Sequence, residues 1–317
     1  MKRIGCALAL AAALVLAAGW APSLDYPRSP VSIIVPYGAG GGTDLIGRAL
    51  ADTVKGSFPR GIAVENRLGG GGSVGMSYGQ NARPDGNIIT NITVELVTLP
   101  HTGTGGDISH EKFIPLIMFN STYSAVTVQK SSPHNTLKDL LTAAKTDPIQ
   151  VGNSGIGAIW HLAAASLEQA AGVEFIHVPF DGAAPAITSL LGGHIDAVTV
   201  SYAEVVSQVD AGELKVLAVL APQRLPVAPD IPTATELGYN VSVGSWRGFG
   251  VPLNTPPEIV AWLEKTFTDG VNSPGFVKFM KDTKNDIELL SSAEYAKRLA
   301  RDYEMFGKLI NDLGLSK

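Results

Sequence analysis

Three glycine-bearing stretches hold the residue types from which an anion site can be built: PYGAGGGTD (36–44), RLGGGGSVG (67–75) and NSGIGAIWH (153–161). Glycine allows close backbone approach and positive φ, and a helix that starts after such a loop offers unpaired N–H groups and a positive dipole end. The first and third stretches each add a hydroxyl, Thr43 and Ser154. Asp44 falls in the first helical turn, where an acid favours the dipole and could also receive a ligand ammonium, an ordered water or a shared proton. The second stretch suits packing or the rim of a cleft.

The same residues do not fit nucleotide or covalent chemistry. A phosphate loop needs a lysine after its second glycine, and Gly38 leads to Thr43 and Asp44 without one. The dinucleotide fingerprint fails because Gly38-x-Gly40 is followed three positions on by Thr43, and an acid there would repel a pyrophosphate. Ser154 sits in Gly152-Asn153-Ser154-Gly155-Ile156, which is no GxSxG elbow, and the nearby His161 has no evident acid partner. His110-Glu111 lacks the second histidine of HExxH, since Ile114 stands there. No paired carboxylates stand at catalytic spacing. The chain therefore reads as a binder and not an enzyme, with no catalytic residue, metal ligand or cofactor expected.

The elements that would position these loops follow an α/β pattern. Apolar β-rich runs alternate with segments of helical period, as in proteins with largely parallel sheets. Strands are expected at 31–37, 62–66, 87–92, 113–120, 124–129, 149–153, 174–179, 196–201 and 214–221. Helices are expected near 44–56, 73–83, 136–146, 158–171, 182–192 and 203–211. Beyond Trp246 the segments PEIVAWLEKTFTDGV and AEYAKRLARDYEMFGKLI have the spacing of amphipathic surface helices. A helical tail returning to the first domain makes the chain cross twice, near 122–127 and 243–250. Ligands of open α/β sheets sit beyond the carboxyl ends of strands, where the first and third loops fall.

Composition bounds the rest. Met1-Lys2-Arg3 precedes an apolar, alanine- and leucine-rich run that turns polar at Asp25, the pattern of a secretory signal peptide, with cleavage expected after Ala21. The only cysteine, Cys6, would leave with it. Disulfides, thiolate zinc sites and a cysteine nucleophile are then excluded. A mature chain of this size with 45% hydrophobic residues suggests two domains. A net charge of −5 without a lysine or arginine run argues against nucleic acid as a partner.

Several blocks in order resemble the receptors of tripartite tricarboxylate transporters, the Bug-type periplasmic solute-binding family. They are VSIIVPYGAGGGTDLIGRALA, ENRLGGGGSVG, PDG at 84–86, the segment from VGNSGIGAIWH to LLGGHIDA, LKVLAV, APDIPTATELGY and SWRGFGVPLNTP. The resemblance covers most of the chain after the signal. It implies an α/β, two-lobed periplasmic-binding-protein-like fold of type II, each lobe a mostly parallel sheet flanked by helices, the two joined by crossover hinge segments. On that reading 1–21 is the signal peptide, 22–124 plus 246–317 form lobe I, and 125–245 form lobe II.

The resemblance also implies a periplasmic receptor, without cofactor, that captures a small organic carboxylate: a di- or tricarboxylate or an acidic amino acid. It would act as a monomer and pass the ligand to membrane permease subunits. The alternatives are a periplasmic sensor feeding a signalling system and, more remotely, a secreted hydrolase using Ser154 and His161. In the family the loops after the first strand of each lobe grip the ligand carboxylate. Carried over, these are Tyr37, Ala39, Gly40, Gly42, Thr43 and Asp44, and Ser154, Gly155, Gly157 and Ala158, with His161 in the following helix also counted in the site. Asn91 and Ser201, at or near strand ends, are expected to line the remaining pocket with Thr90 and Thr93. Asp181 departs from the basic or polar residue common before Gly182; it either favours an amine-bearing or neutral ligand end or points to solvent. Arg247 is expected as a hinge ion-pair partner, the alternative being the cation for a distal carboxylate.

Overall fold

The computed structural model describes residues 25–316, so the expected signal segment 1–21 and Cys6 lie outside the described residues. β1 (Val31–Val35) and β3 (Ile88–Thr93) are rich in branched residues and almost wholly buried, as strands covered on both faces should be. β1 pairs in parallel with β2 (Ile62–Asn66) and β3. α1 (Gly42–Val54) and α2 (Ser73–Gln80) make the crossovers, and the short α3 (Glu95–Thr98) follows β3.

β4 (Phe113–Gln129) is one strand of 17 residues where two were expected. Asn120 to Tyr123, whose polarity suggests a break, stay extended because they pair in register with Arg247, Trp246, Ser245 and Gly244 of β9 (Gly244–Pro252). β9 itself has no strand-like pattern, since Gly244, Gly248 and Gly250 are poor strand formers. Packing requires those glycines: a Cβ on Gly248 would lie 2.4 Å from the Tyr295 ring, and one on Gly250 would lie 2.2 Å from Ile92 Cδ1.

The second lobe repeats the scheme. β5 (Gln150–Asn153) pairs in parallel with β6 (Ile176–Pro179) and β7 (Ala197–Ser201). α4 (Leu137–Ala143), α5 (Ile159–Ala171), α6 (Ala183–Leu191) and α7 (Tyr202–Asp210) connect them, and β8 (Leu214–Leu220) closes against β4. The sheet order is β2-β1-β3-β9-β4-β7-β5-β6. β4 serves both lobes: its residues 113–123 pair with β9, and 124–129 pair with β7 and β8. Pairing is parallel among the outer strands and antiparallel wherever β4 or β9 takes part.

In the tail, α8 (Pro257–Val271) and α9 (Pro274–Asp282) pack on α1, and β10 (Asp286–Leu290) adds to β4. α10 (Ser292–Asp312) begins at the first lobe, where Ser292 Oγ donates to Pro115 O at 2.6 Å. Its last turn reaches the second lobe, where Gln169 Nε2 donates to Asp312 O at 3.1 Å. A helix of this length spans about 30 Å, enough to run along both lobes. No helix among the described residues is long and apolar enough to cross a membrane.

Candidate functional site

The loop after β1 passes through Gly40 at φ +82° and enters α1 at Gly41 with no side-chain cap. α5 begins after Ala158, and α6 after Gly182 at φ +111°, with the same lack. By contrast Thr136, Ser273 and Ser291 cap α4, α9 and α10. The three N-termini, none capped by its own N-cap side chain, converge on a cavity of about 60 Å³ between the lobes, room for a few ordered waters or a small carboxylate head. Uncapped first-turn N–H groups and three dipole ends make this a place that favours negative charge.

Polar groups from both lobes complete the wall. Arg247 of β9 is 3% exposed, with Nε donating to Thr43 Oγ1 at 3.0 Å and Nη1 to Asn120 Oδ1 at 2.7 Å. Its Nη2 lies 3.5 Å from Glu204 Oε1. Glu204 also accepts from the Ser201 N–H and hydroxyl, a reciprocal arrangement at the start of α7. Tyr37 Oη and Thr93 Oγ1 are 2.8 Å apart, and Thr93 in turn donates to Glu95 Oε2. Burial, and then the Glu95 carboxylate, push the Tyr37 phenol up, so it stays a hydrogen-bond donor. Glu95 Oε1 accepts the Ile159 N–H at 3.2 Å, which joins lobe I to the start of α5.

Of the residues singled out from sequence, Tyr37, Ala39, Gly42, Thr43, Thr93, Ser154, Asp181 and Arg247 line this cavity. Asp44, Asn91, Gly155, Gly157, Ala158, His161 and Ser201 are buried and do not line it, and Gly40 is exposed on a separate surface cleft. Asp44, 2% exposed, accepts from Gly40 N at 2.9 Å, Asn66 Nδ2 at 2.8 Å and Arg48 Nε at 2.9 Å, so its carboxylate braces the loop. Asn91 sits under the first turn of α1, donating to Thr43 O at 3.3 Å. Gly155 and Gly157 take φ of +125° and +76°, and a Cβ on Gly155 would lie 3.5 Å from Gly71 of the facing lobe. Ala158 is the fully buried residue before α5.

His161 accepts the Gly157 N–H at Nδ1 over 3.1 Å, so it shapes the loop and is not paired with Ser154. Burial, and next the neighbouring His177, lower its imidazole to a pKa of about 4. Ser154 Oγ is buried and has no hydrogen-bond partner among the described residues. Sequence reasoning missed Glu95 and Glu204 as wall residues. The S-x-x-E spacing of Ser201 and Glu204 was a legible signal for the second; Glu95 carries none, because its reach across the cleft is a tertiary event.

Residues 46–315 match the profile described as the tripartite tricarboxylate transporter family receptor. Among solved structures, a TctC solute-binding protein from Polaromonas without ligand is 40% identical, with a TM-score of 0.67 over 90% of this chain and 99% of that one. The periplasmic binding protein BugD is 30% identical, with a TM-score of 0.87 over 92% of this chain and 100% of its own. R. palustris Rpa4515, solved with adipate, is 25% identical, with a TM-score of 0.86 over 92% of this chain and 99% of its own.

Proposed function

The chain belongs to the tripartite tricarboxylate transporter receptor family, and we propose that it captures a small organic carboxylate in the cavity between its lobes and delivers it to a membrane transporter. The observation that carries this reading is the uncapped N-terminus of α1, which opens into that cavity beside Arg247 and the unpartnered Ser154 hydroxyl. Charge-assisted hydrogen bonds contribute about 1.5–3 kcal/mol each, so a few such donors support micromolar binding after ordering costs. The adipate held by Rpa4515 supports a carboxylate as the ligand class.

Lobe I is taken as 22–124 with 246–317 and lobe II as 125–245, so that β4 and the start of β9 act as the hinge and the lobes close on the ligand. That hinge would account for the lower TM-score of the ligand-free Polaromonas protein despite its higher identity, since a change of lobe angle spoils superposition without changing either lobe. Closure would give the permease a surface by which to tell loaded from empty receptor. Residues 1–21 would direct the chain to the periplasm and be removed there.

A thermal-shift screen with mono-, di- and tricarboxylates and amino acids tests the reading. A ligand at one hundred times its dissociation constant adds about 2.7 kcal/mol to stability. A broad panel in which no carboxylate raises the melting temperature would sink the proposal.

A further inference from the structure

The cavity wall carries more negative than positive side chains: Glu95, Asp181 and Glu204 against Arg247. Arg247 is already engaged, with its Nη2 beside Glu204 and its other nitrogens on Thr43 and Asn120. Among the described residues no lysine, arginine or histidine lies within ion-pair distance of Glu95 or Asp181. Glu95 is 4% exposed, and its oxygens take the Ile159 N–H and the Thr93 hydroxyl. The protein thus supplies its own carboxylate to the N-terminus of α5, one of the three helix starts at the cavity. A helix end compensates about half a charge, and a second anion brought there would meet Glu95 instead of free N–H groups.

The N-terminus of α1 differs from that of α5, and from that of α6, whose Ala183 and Ala184 N–H groups, free among the described residues, follow directly on the Asp181 carboxylate. Gly42 and Thr43 have no protein acceptor for their N–H groups among the described residues, and no side chain caps them. Ser154, 5% exposed, lines the same cavity from the facing lobe and carries a buried, unpartnered hydroxyl, a group whose burial is costly unless a ligand completes it.

From this asymmetry we infer that the ligand carries a single carboxylate, seated at the N-terminus of α1, and a nitrogen donor, an ammonium or amide, at its other end, facing Glu95 and Asp181. The inference rests on the carboxylate-receptor reading and narrows it. Di- and tricarboxylates are rejected, because the second carboxylate would be desolvated against Glu95 with no free cation to receive it. Glu95 is therefore the specificity-determining residue.

Calorimetric titration of the mature full-length protein with chain-length-matched ligands is the test: γ-aminobutyrate and succinamate against succinate, with the same comparison at three, five and six carbons. The nitrogen-bearing monocarboxylate is expected to bind at least about tenfold tighter than the dicarboxylate of its length. Glu95→Gln, which keeps an acceptor for Ile159 but removes the charge, is expected to shrink that ratio about tenfold. Should Glu95→Gln fail to fold, Asp181→Asn at the exposed mouth reads the same ratio. Dicarboxylates binding as tightly as their partners in the wild type, or a ratio unmoved by the substitutions, overturns this inference and leaves the receptor reading intact. Binding by neither series overturns both.

Discussion

Arg247 on β9 donates from Nε to Thr43 Oγ1 at 3.0 Å, across 204 positions of sequence, so the returning hinge strand holds the first turn of α1 in place. The same guanidinium satisfies Asn120 of β4 and offsets Glu204 of lobe II. One side chain therefore couples both crossover strands, the loop at 36–44 and the second lobe.

Arg247→Met should destabilise the protein by about 3–5 kcal/mol, because Glu204 is left as a buried charge without its cation and Asn120 and Thr43 lose a donor. Arg247→Lys should recover part of this, since an ammonium cannot reproduce the fork that reaches three partners. Urea unfolding measures both. Equal stability of wild type and Arg247→Met would show that the buried contacts carry no net weight.

Ser154→Ala is expected to move two quantities in opposite directions. Removing an unsatisfied buried hydroxyl should leave the free protein as stable or up to about 1 kcal/mol more stable, while the ligand loses a hydrogen bond worth about 1 kcal/mol. Calorimetry with a carboxylate ligand and melting of the free protein check this. A fall in the stability of the free protein with unchanged affinity would assign Ser154 to structure alone.

The Asp44 carboxyl feels two opposed influences. Burial pushes it up, but Arg48, the Gly40 N–H and Asn66 outweigh that and hold it below the usual carboxylate range. A depressed acid contributes stability that is fully present above its unfolded value near pH 4, and that is lost as pH falls through the lower folded value. Asp44→Asn should therefore cost about 1.5–3 kcal/mol at neutral pH, with the gap to wild type closing only in strong acid. A gap that already closes between pH 7 and 5 would contradict the assignment.

His161 titrates in a different window. Its folded pKa of about 4 lies below the ordinary value near 6.5, so the unfolded chain takes up the proton first. Stability should be full above about pH 6.5 and fall by about 3 kcal/mol as pH drops towards 4. His161→Asn, which can still accept from Gly157, should lose that slope. Ester turnover that vanishes in both Ser154→Ala and His161→Asn would instead revive a hydrolase, against the geometry that turns Nδ1 to Gly157.

By itself the sequence determined the α/β alternation, the placing of β1, β2, β5 and α5 to within a residue or two, and the loops at 36–44 and 153–161. These are local matters: branched apolar runs, glycine at positive φ and helical period are written in neighbouring residues. Tyr37, Thr43 and Ser154 were legible as candidates because they sit in those loops.

Only the tertiary structure decided that β4 runs unbroken through both lobes, that glycine-rich β9 is a strand, and that Asp44 turns inward to Arg48 and Asn66. Strand pairing over more than a hundred positions and close backbone packing override local propensity there. Glu95 reaching the start of α5 and Arg247 reaching Thr43 belong to the same class. Each joins residues far apart in the chain across one cleft, and charge placed that way has no trace in spacing, although it sets which ligand the cleft will take.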